Sequence, residues 1–194
     1  MSIKGWNPGM FVANATGDPT IVSETTPFAK GQLGTVAPIS NTILFDPGYA
    51  PRIYQYILRD STDGLTLATA GSPAHWLAAG YLLFSVTSDV SESSDAGGYA
   101  CAGVFAGIYP LAGKYGFIQV GGVGPALFKA TETETCASGV PITPTATDLE
   151  FDTIATAQLT AKPPLVGYCL GAKDAGSIGT NVTQAILFPP RLGW

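Results

Sequence analysis

Residues able to do chemistry are few in this chain. It holds one histidine, His75, in the run Gly71-Ser72-Pro73-Ala74-His75-Trp76. A lone histidine cannot assemble a multi-histidine zinc site. A serine hydrolase triad would need His75 as its base, yet no G-x-S-x-G elbow exists and no serine stands out. His75 therefore reads as a packed or solvent-edge histidine. The three cysteines, Cys101, Cys136 and Cys169, are spaced 35 and 33 residues apart. Those spacings fit no short zinc or redox motif, so three reduced thiols in or near a core are expected.

The carboxylates fare no better. Glu132 and Glu134 alternate with threonines, and Asp148, Glu150 and Asp152 alternate with Leu149 and Phe151. A glycosidase needs two acids roughly 5 to 10 Å apart. Strict alternation instead marks the solvated face of strands, where like charges discourage edge-to-edge pairing. Asp89, Glu92 and Asp95 precede Gly97-Gly98 but miss the calcium-loop spacing. Gly121-Gly122-Val123-Gly124 does not extend to a dinucleotide fingerprint, because position 127 is Leu, and it reads as a turn. Tyr54, Tyr56 and Trp76 could stack on a sugar, though core packing explains them with fewer assumptions. No catalytic, cofactor-binding or metal-binding residues are assigned, and no enzyme is expected.

The elements that would have to position any site are strands. Gly (24) and Pro (15) are abundant among the 194 residues, and charged residues are only 12%, about half the usual share. Glycine by entropy and proline by its missing N–H both oppose long helices. Nine Lys+Arg against fourteen Asp+Glu leave a net charge of −5. Such a chain lacks the basic patch that phosphate backbones require, so nucleic acid is not an expected partner. The uncharged stretch from Gly64 to Ser88 is interrupted by Gly71 and Pro73, and its dense apolar part is too short for a membrane helix. The N-terminal residues contain no apolar signal core, and no secretory leader is expected.

Residues 1–30 are rich in Thr, Pro and Gly and show no sustained period, which predicts an extended arm. Its scattered apolar side chains, Trp6, Met10, Phe11, Ile21 and Phe28, are the expected anchors on a neighbouring surface. Residues 31–194 form the expected domain, all-β, a single barrel or sandwich of short antiparallel strands. Strands are predicted over 52–59, with Tyr54, Tyr56 and Leu58 on one face, and over 65–69, 81–87, 99–109 and 115–120. Asp60-Ser61-Thr62-Asp63-Gly64 is a predicted turn with Gly64 free to take positive φ, and 110–114 is another. Pro73 to Ala79 is read as a helical turn at most, Gly139 to Thr147 as a Pro/Thr loop, and 165–171 with 182–188 as a closing hairpin.

Several segments together resemble the head decoration (cement) proteins of tailed bacteriophages. They are Gly31-Gln32-Leu33-Gly34-Thr35 before the Tyr54-Gln55-Tyr56 strand, Ala102-Gly103-Val104-Phe105-Ala106-Gly107, the stretch from Gly113 to Gly122, and the Gly167 to Phe188 hairpin. The likeness spans about residues 31–188 as a pattern, without a diagnostic motif, and leaves 131–162 unmatched. It implies a non-enzymatic, homotrimeric virion protein on the outer capsid surface, binding adjacent major capsid protein subunits, with no catalytic residues to transfer. Low charge suits surfaces buried against neighbours, and acidity suits a place away from the genome. The competing expectation is a carbohydrate-binding β-sandwich module of a host-recognition structure.

Overall fold

A computed structural model describes residues 23, 36–39, 52–67, 70–77, 84–92, 101–108, 110–128, 137–145, 149–154, 165–170 and 182–187. The expected arm anchors Trp6, Met10, Phe11, Ile21 and Phe28 lie outside them.

The described residues form ten strands and one short 3-10 turn, Val90–Glu92. The strands are β1 (Val36–Ile39), β2 (Arg52–Arg59), β3 (Ser72–Trp76), β4 (Ser85–Thr87) and β5 (Cys101–Phe105). They continue as β6 (Tyr115–Leu127), β7 (Pro141–Pro144), β8 (Phe151–Thr153), β9 (Gly167–Cys169) and β10 (Val182–Leu187). Pairing runs β2-β4-β3-β5-β6, and β6 pairs back onto β2, so five strands close a barrel. From the far half of β6 the order continues β10-β9-β7-β8 as an outer sheet, while β1 lies along β2. The all-β barrel expectation is met. Among the described strand pairs only β2 with β4 is parallel, and an isolated parallel bridge joins Phe128 to Phe151 of β8.

Strand β2 has the predicted bounds, but it is buried on both faces: Tyr54, Gln55, Tyr56 and Ile57 are all inside. The barrel core is Ile57, Leu67, Ala74, Trp76, Val86, Ala102, Phe105, Ile118 and Val120. Each large side chain so buried contributes roughly 1.5–3 kcal/mol. Tyr54, Tyr56 and Phe117 form a second cluster, with the Tyr56 and Phe117 rings 5.0 Å apart. A third lies between β5 and the outer sheet, built on Val104, Phe128, Ile142, Phe151, Val166 and Leu187.

Several local expectations are corrected, each for a reason of pairing. Gly121–Pro125 is not a turn. Strand β6 runs through it for 13 residues, pairing β2 before Gly122 and β10 from Gly122 onward. Gly122 takes φ +81°, which re-aims the strand from barrel to outer sheet without a break. Buried Gln119 fastens this bend by donating through Nε2 to the carbonyls of Gly121 (3.1 Å) and Val123 (3.0 Å). A Cβ on Gly124 would sit 2.5 Å from Gln119 Oε1, so only glycine leaves room for that side chain.

The prolines misled the reading in two places. Pro73 lies inside β3, not in a helical turn; it pairs Val104 on one side, and β4 joins the other side only from His75. Pro141 and Pro144 end β7, where a loop was expected, each paired with one neighbouring strand. A proline needs no partner for an N–H it lacks, so one-sided pairing suits it. Of the expected 81–87 strand, 85–87 is strand and Phe84 turns with φ +55°. In the expected 99–109 strand, only 101–105 is strand among the described residues. The 110–114 turn and the antiparallel pairing of β9 with β10 are as read.

Candidate functional site

The predicted chemistry-bearing residues do not converge. His75 is fully buried on β3, between Thr87 of β4 and Cys101 of β5. Tyr54, Tyr56 and Trp76 are core residues, 5% exposed or less, so the proposed sugar-stacking platform has no accessible ring among them. Asp152 faces outward between buried Phe151 and Thr153, as alternation required, while Glu132, Glu134 and Asp148 lie outside the described residues.

Asp89 and Glu92 are engaged by neighbours. Glu92 Oε1 accepts from the Thr62 hydroxyl (3.1 Å) and Oε2 from the Thr87 hydroxyl (3.0 Å). Asp89 Oδ1 accepts from the Ser91 N–H (2.8 Å) and hydroxyl (2.6 Å). Asp95 lies outside the described residues, and among those described no group of three ligands could hold a metal ion.

The cysteines require a correction. Cys169 is disulfide-bonded, so the chain does not carry three reduced thiols. Cys101 is free and buried, and its thiol, pushed up to about 12 by burial, donates to the Gly103 carbonyl at 3.4 Å. Cys136 lies outside the described residues.

A different group of residues builds the most organised polar structure. At the end of β2, Arg59 and Asp63 are each about 2% exposed, with Nε donating to Asp63 Oδ2 at 2.8 Å. The guanidinium also donates to the carbonyls of Pro110 (3.2 Å) and Leu65 (2.5 Å) and to the Ser88 hydroxyl (3.1 Å). Its Cζ lies 5.5 Å from the Phe105 ring centroid, within cation–π reach. The Asp63 carboxylate accepts from the Ser88 N–H (2.7 Å), the Ser88 hydroxyl (2.8 Å) and the Leu65 N–H (3.2 Å).

One ion pair thus ties three connections: 60–67, the segment after β4 through Ser88, and 106–114. It also explains why 65–67 is not the strand the sequence suggested. The N–H and carbonyl of Leu65 are taken by Asp63 and Arg59, leaving no ladder bonds to make there. Gly64 does not take positive φ either, because Asp60 and Asp63 shape the turn through side-chain bonds to Thr62 and Leu65.

Burial alone raises the Asp63 carboxyl. The Arg59 hydrogen bond, the Ser88 N–H, the Arg59 charge and the Ser88 hydroxyl outweigh it and hold the group below its ordinary 3.8. Asp63 is therefore ionised and paired at neutral pH.

The 106–114 connection is fastened from beneath as well. The Gly113 N–H donates to the carbonyls of Arg59 (3.0 Å) and Asp60 (3.1 Å), and Lys114 N–H to that of Leu111 (3.1 Å). Pro110 is buried, while Ile108 and Leu111 stand 47% and 52% exposed. Ser23, the one described residue of 1–30, accepts at Oγ from the Leu111 N–H (3.0 Å). Two apolar side chains are thus held out on a fastened loop beside Ser23.

Sequence reasoning missed this platform. The available signal was Arg59 followed four residues later by Asp63, in a chain with few charges. Comparison with protein-family models, curated proteins and solved structures found no match.

Proposed function

We propose that the protein is a non-enzymatic virion structural protein that decorates a capsid by docking on adjacent major capsid protein subunits. The observation that carries this reading is the platform: Ile108 and Leu111 exposed on a loop that a buried ion pair holds in one shape. Fixing a loop before binding removes its ordering cost from the association, so modest apolar anchors suffice. Avidity does the rest, because a bridging protein sums weak contacts on neighbouring subunits. The Cys169 disulfide supports a working place outside a reducing cytosol.

Heating purified particles with and without the bound protein tests the reading. Its addition should raise the capsid melting temperature, and Ile108→Glu with Leu111→Glu should abolish that rise while the protein itself stays folded. No incorporation by the wild type, or full protection by the double variant, would sink the proposal. The carbohydrate reading loses its motivating residues, since Tyr54, Tyr56 and Trp76 are enclosed.

A further inference from the structure

The oxidised Cys169 needs a second sulfur, and the chemistry of the chain narrows its identity to one residue. The chain holds three cysteines, Cys101, Cys136 and Cys169. Cys101 shares a core cluster with Cys169, yet it is a free thiol and donates to the Gly103 carbonyl. Cys136, outside the described residues, is the remaining cysteine of the chain.

The described backbone that follows Cys136 reaches the right place. Residues 137–140 make a turn closed by the Val140 N–H on the Ala137 carbonyl (3.1 Å), with Gly139 at φ +84°. A positive φ at the third position of such a turn favours glycine. The turn is fastened to β9 at Cys169 itself, from both directions. The Gly139 N–H donates to the Cys169 carbonyl (2.8 Å), and the Cys169 N–H donates to the Val140 carbonyl (2.9 Å). The ends of a turn lie within about 7 Å of each other, and one residue more adds about 3.8 Å between Cα atoms. A disulfide joins Cα atoms roughly 4.4 to 6.8 Å apart. The residue just before this turn can meet that span.

We infer that Cys136 and Cys169 are joined, closing residues 136–169 into one covalent ring that contains β7 and β8. The ring takes in most of 131–162, the region that the decoration-protein pattern leaves unmatched, and ties it to the outer sheet. In forming it, each thiol gives up one hydrogen, the S–S bond of a low-molecular-weight disulfide breaks, and its two sulfurs leave as thiols. The cross-link restricts the unfolded chain, so it stabilises the folded one.

Fragment analysis of the protein equilibrated with oxidised glutathione, then unfolded and alkylated without reductant, tests the bond. Cleavage at Glu134, Glu150 and Lys173 leaves Cys136 within 135–150 and Cys169 within 151–173. The two should travel as one linked fragment that separates on reduction, with Cys101 alkylated. Cys101→Ser should leave the linked fragment intact. Cys136→Ser should open Cys169 to alkylation and abolish the drop in melting temperature that reductant causes in the wild type. A Cys101–Cys169 fragment, a covalent dimer through Cys169, or a Cys136 that is alkylated or carries glutathione would each overturn the inference. The wild-type fragments decide the pairing even where Cys136→Ser folds poorly, and no readout involves particle binding.

Discussion

The barrel end and the outer sheet solve the same problem with opposite chemistry. At the barrel end, connections between strands are held by a buried charge pair and its hydrogen bonds. In the outer sheet, strands as short as three residues are held by ladder bonds over an apolar core of Ile142, Phe151, Val166 and Leu187. Loops lack a ladder, and their polar backbone must find partners elsewhere. Arg59 supplies donors to two loop carbonyls at once, which an apolar side chain cannot do. The cost is desolvation of two ions, which close geometry can offset only while both partners are present. Among the described residues the outer sheet's core cluster holds no such charge pair.

The largest expected effect separates the two directly. Arg59→Met leaves the Asp63 carboxylate buried without its cation, and breaking such a pair costs about 3–5 kcal/mol. Replacing both, Arg59→Met with Asp63→Leu, removes the orphaned charge and should recover part of that loss in denaturant unfolding. A double variant no more stable than the single would show that the loop carbonyls, not the stranded charge, dominate. In the outer sheet Ile142→Ala should cost about 2–5 kcal/mol through transfer and cavity terms, with no partner substitution able to rescue it in the same way.

Acid should sharpen the contrast at a smaller scale. Asp63 has a folded pKa below its unfolded value, so its stabilisation is fully present above the ordinary carboxylate range and is lost as pH falls through the folded pKa. The gap between wild type and the Arg59→Met, Asp63→Leu variant should therefore shift against the wild type below about pH 4. The gap between wild type and Ile142→Ala should stay flat over the same range. Equal slopes would mean that the pair contributes nothing to acid sensitivity.

How far the sequence was legible follows the same division. Strand β2, the 110–114 turn and the β9–β10 hairpin were readable because local alternation and turn chemistry decide them. Pro73 and Gly121–Pro125 were misread because their conformations depend on partners distant in sequence, Val104 for one and β10 for the other. Arginines are mostly exposed, so an arginine that ends a strand gives no local sign of burial. Nothing local announces that Ser88 and Pro110 would close over it. The pairing of Pro141 with Tyr168 was hidden for a related reason, because β7 was read as a loop.

The smallest expected effect, none at all in the native state, concerns the thiols and tests how the two regions meet. Cys101 of the barrel and Cys169 of the outer sheet belong to one core cluster, yet one is a free thiol and the other is oxidised. The thiolate is the species that attacks disulfides and thiol reagents. With the Cys101 thiol pushed up to about 12 and its side chain buried, almost no thiolate exists near neutral pH and none is accessible. A thiol reagent should therefore not reach Cys101 in the folded protein, and the Cys169 disulfide should not exchange with it. Unfolding without reductant should expose the Cys101 thiol, and Cys169 should react only after reduction. Rapid native labelling would mean that the seam between barrel and outer sheet opens. Three thiols before reduction would mean that β9 is held by packing and ladder bonds alone.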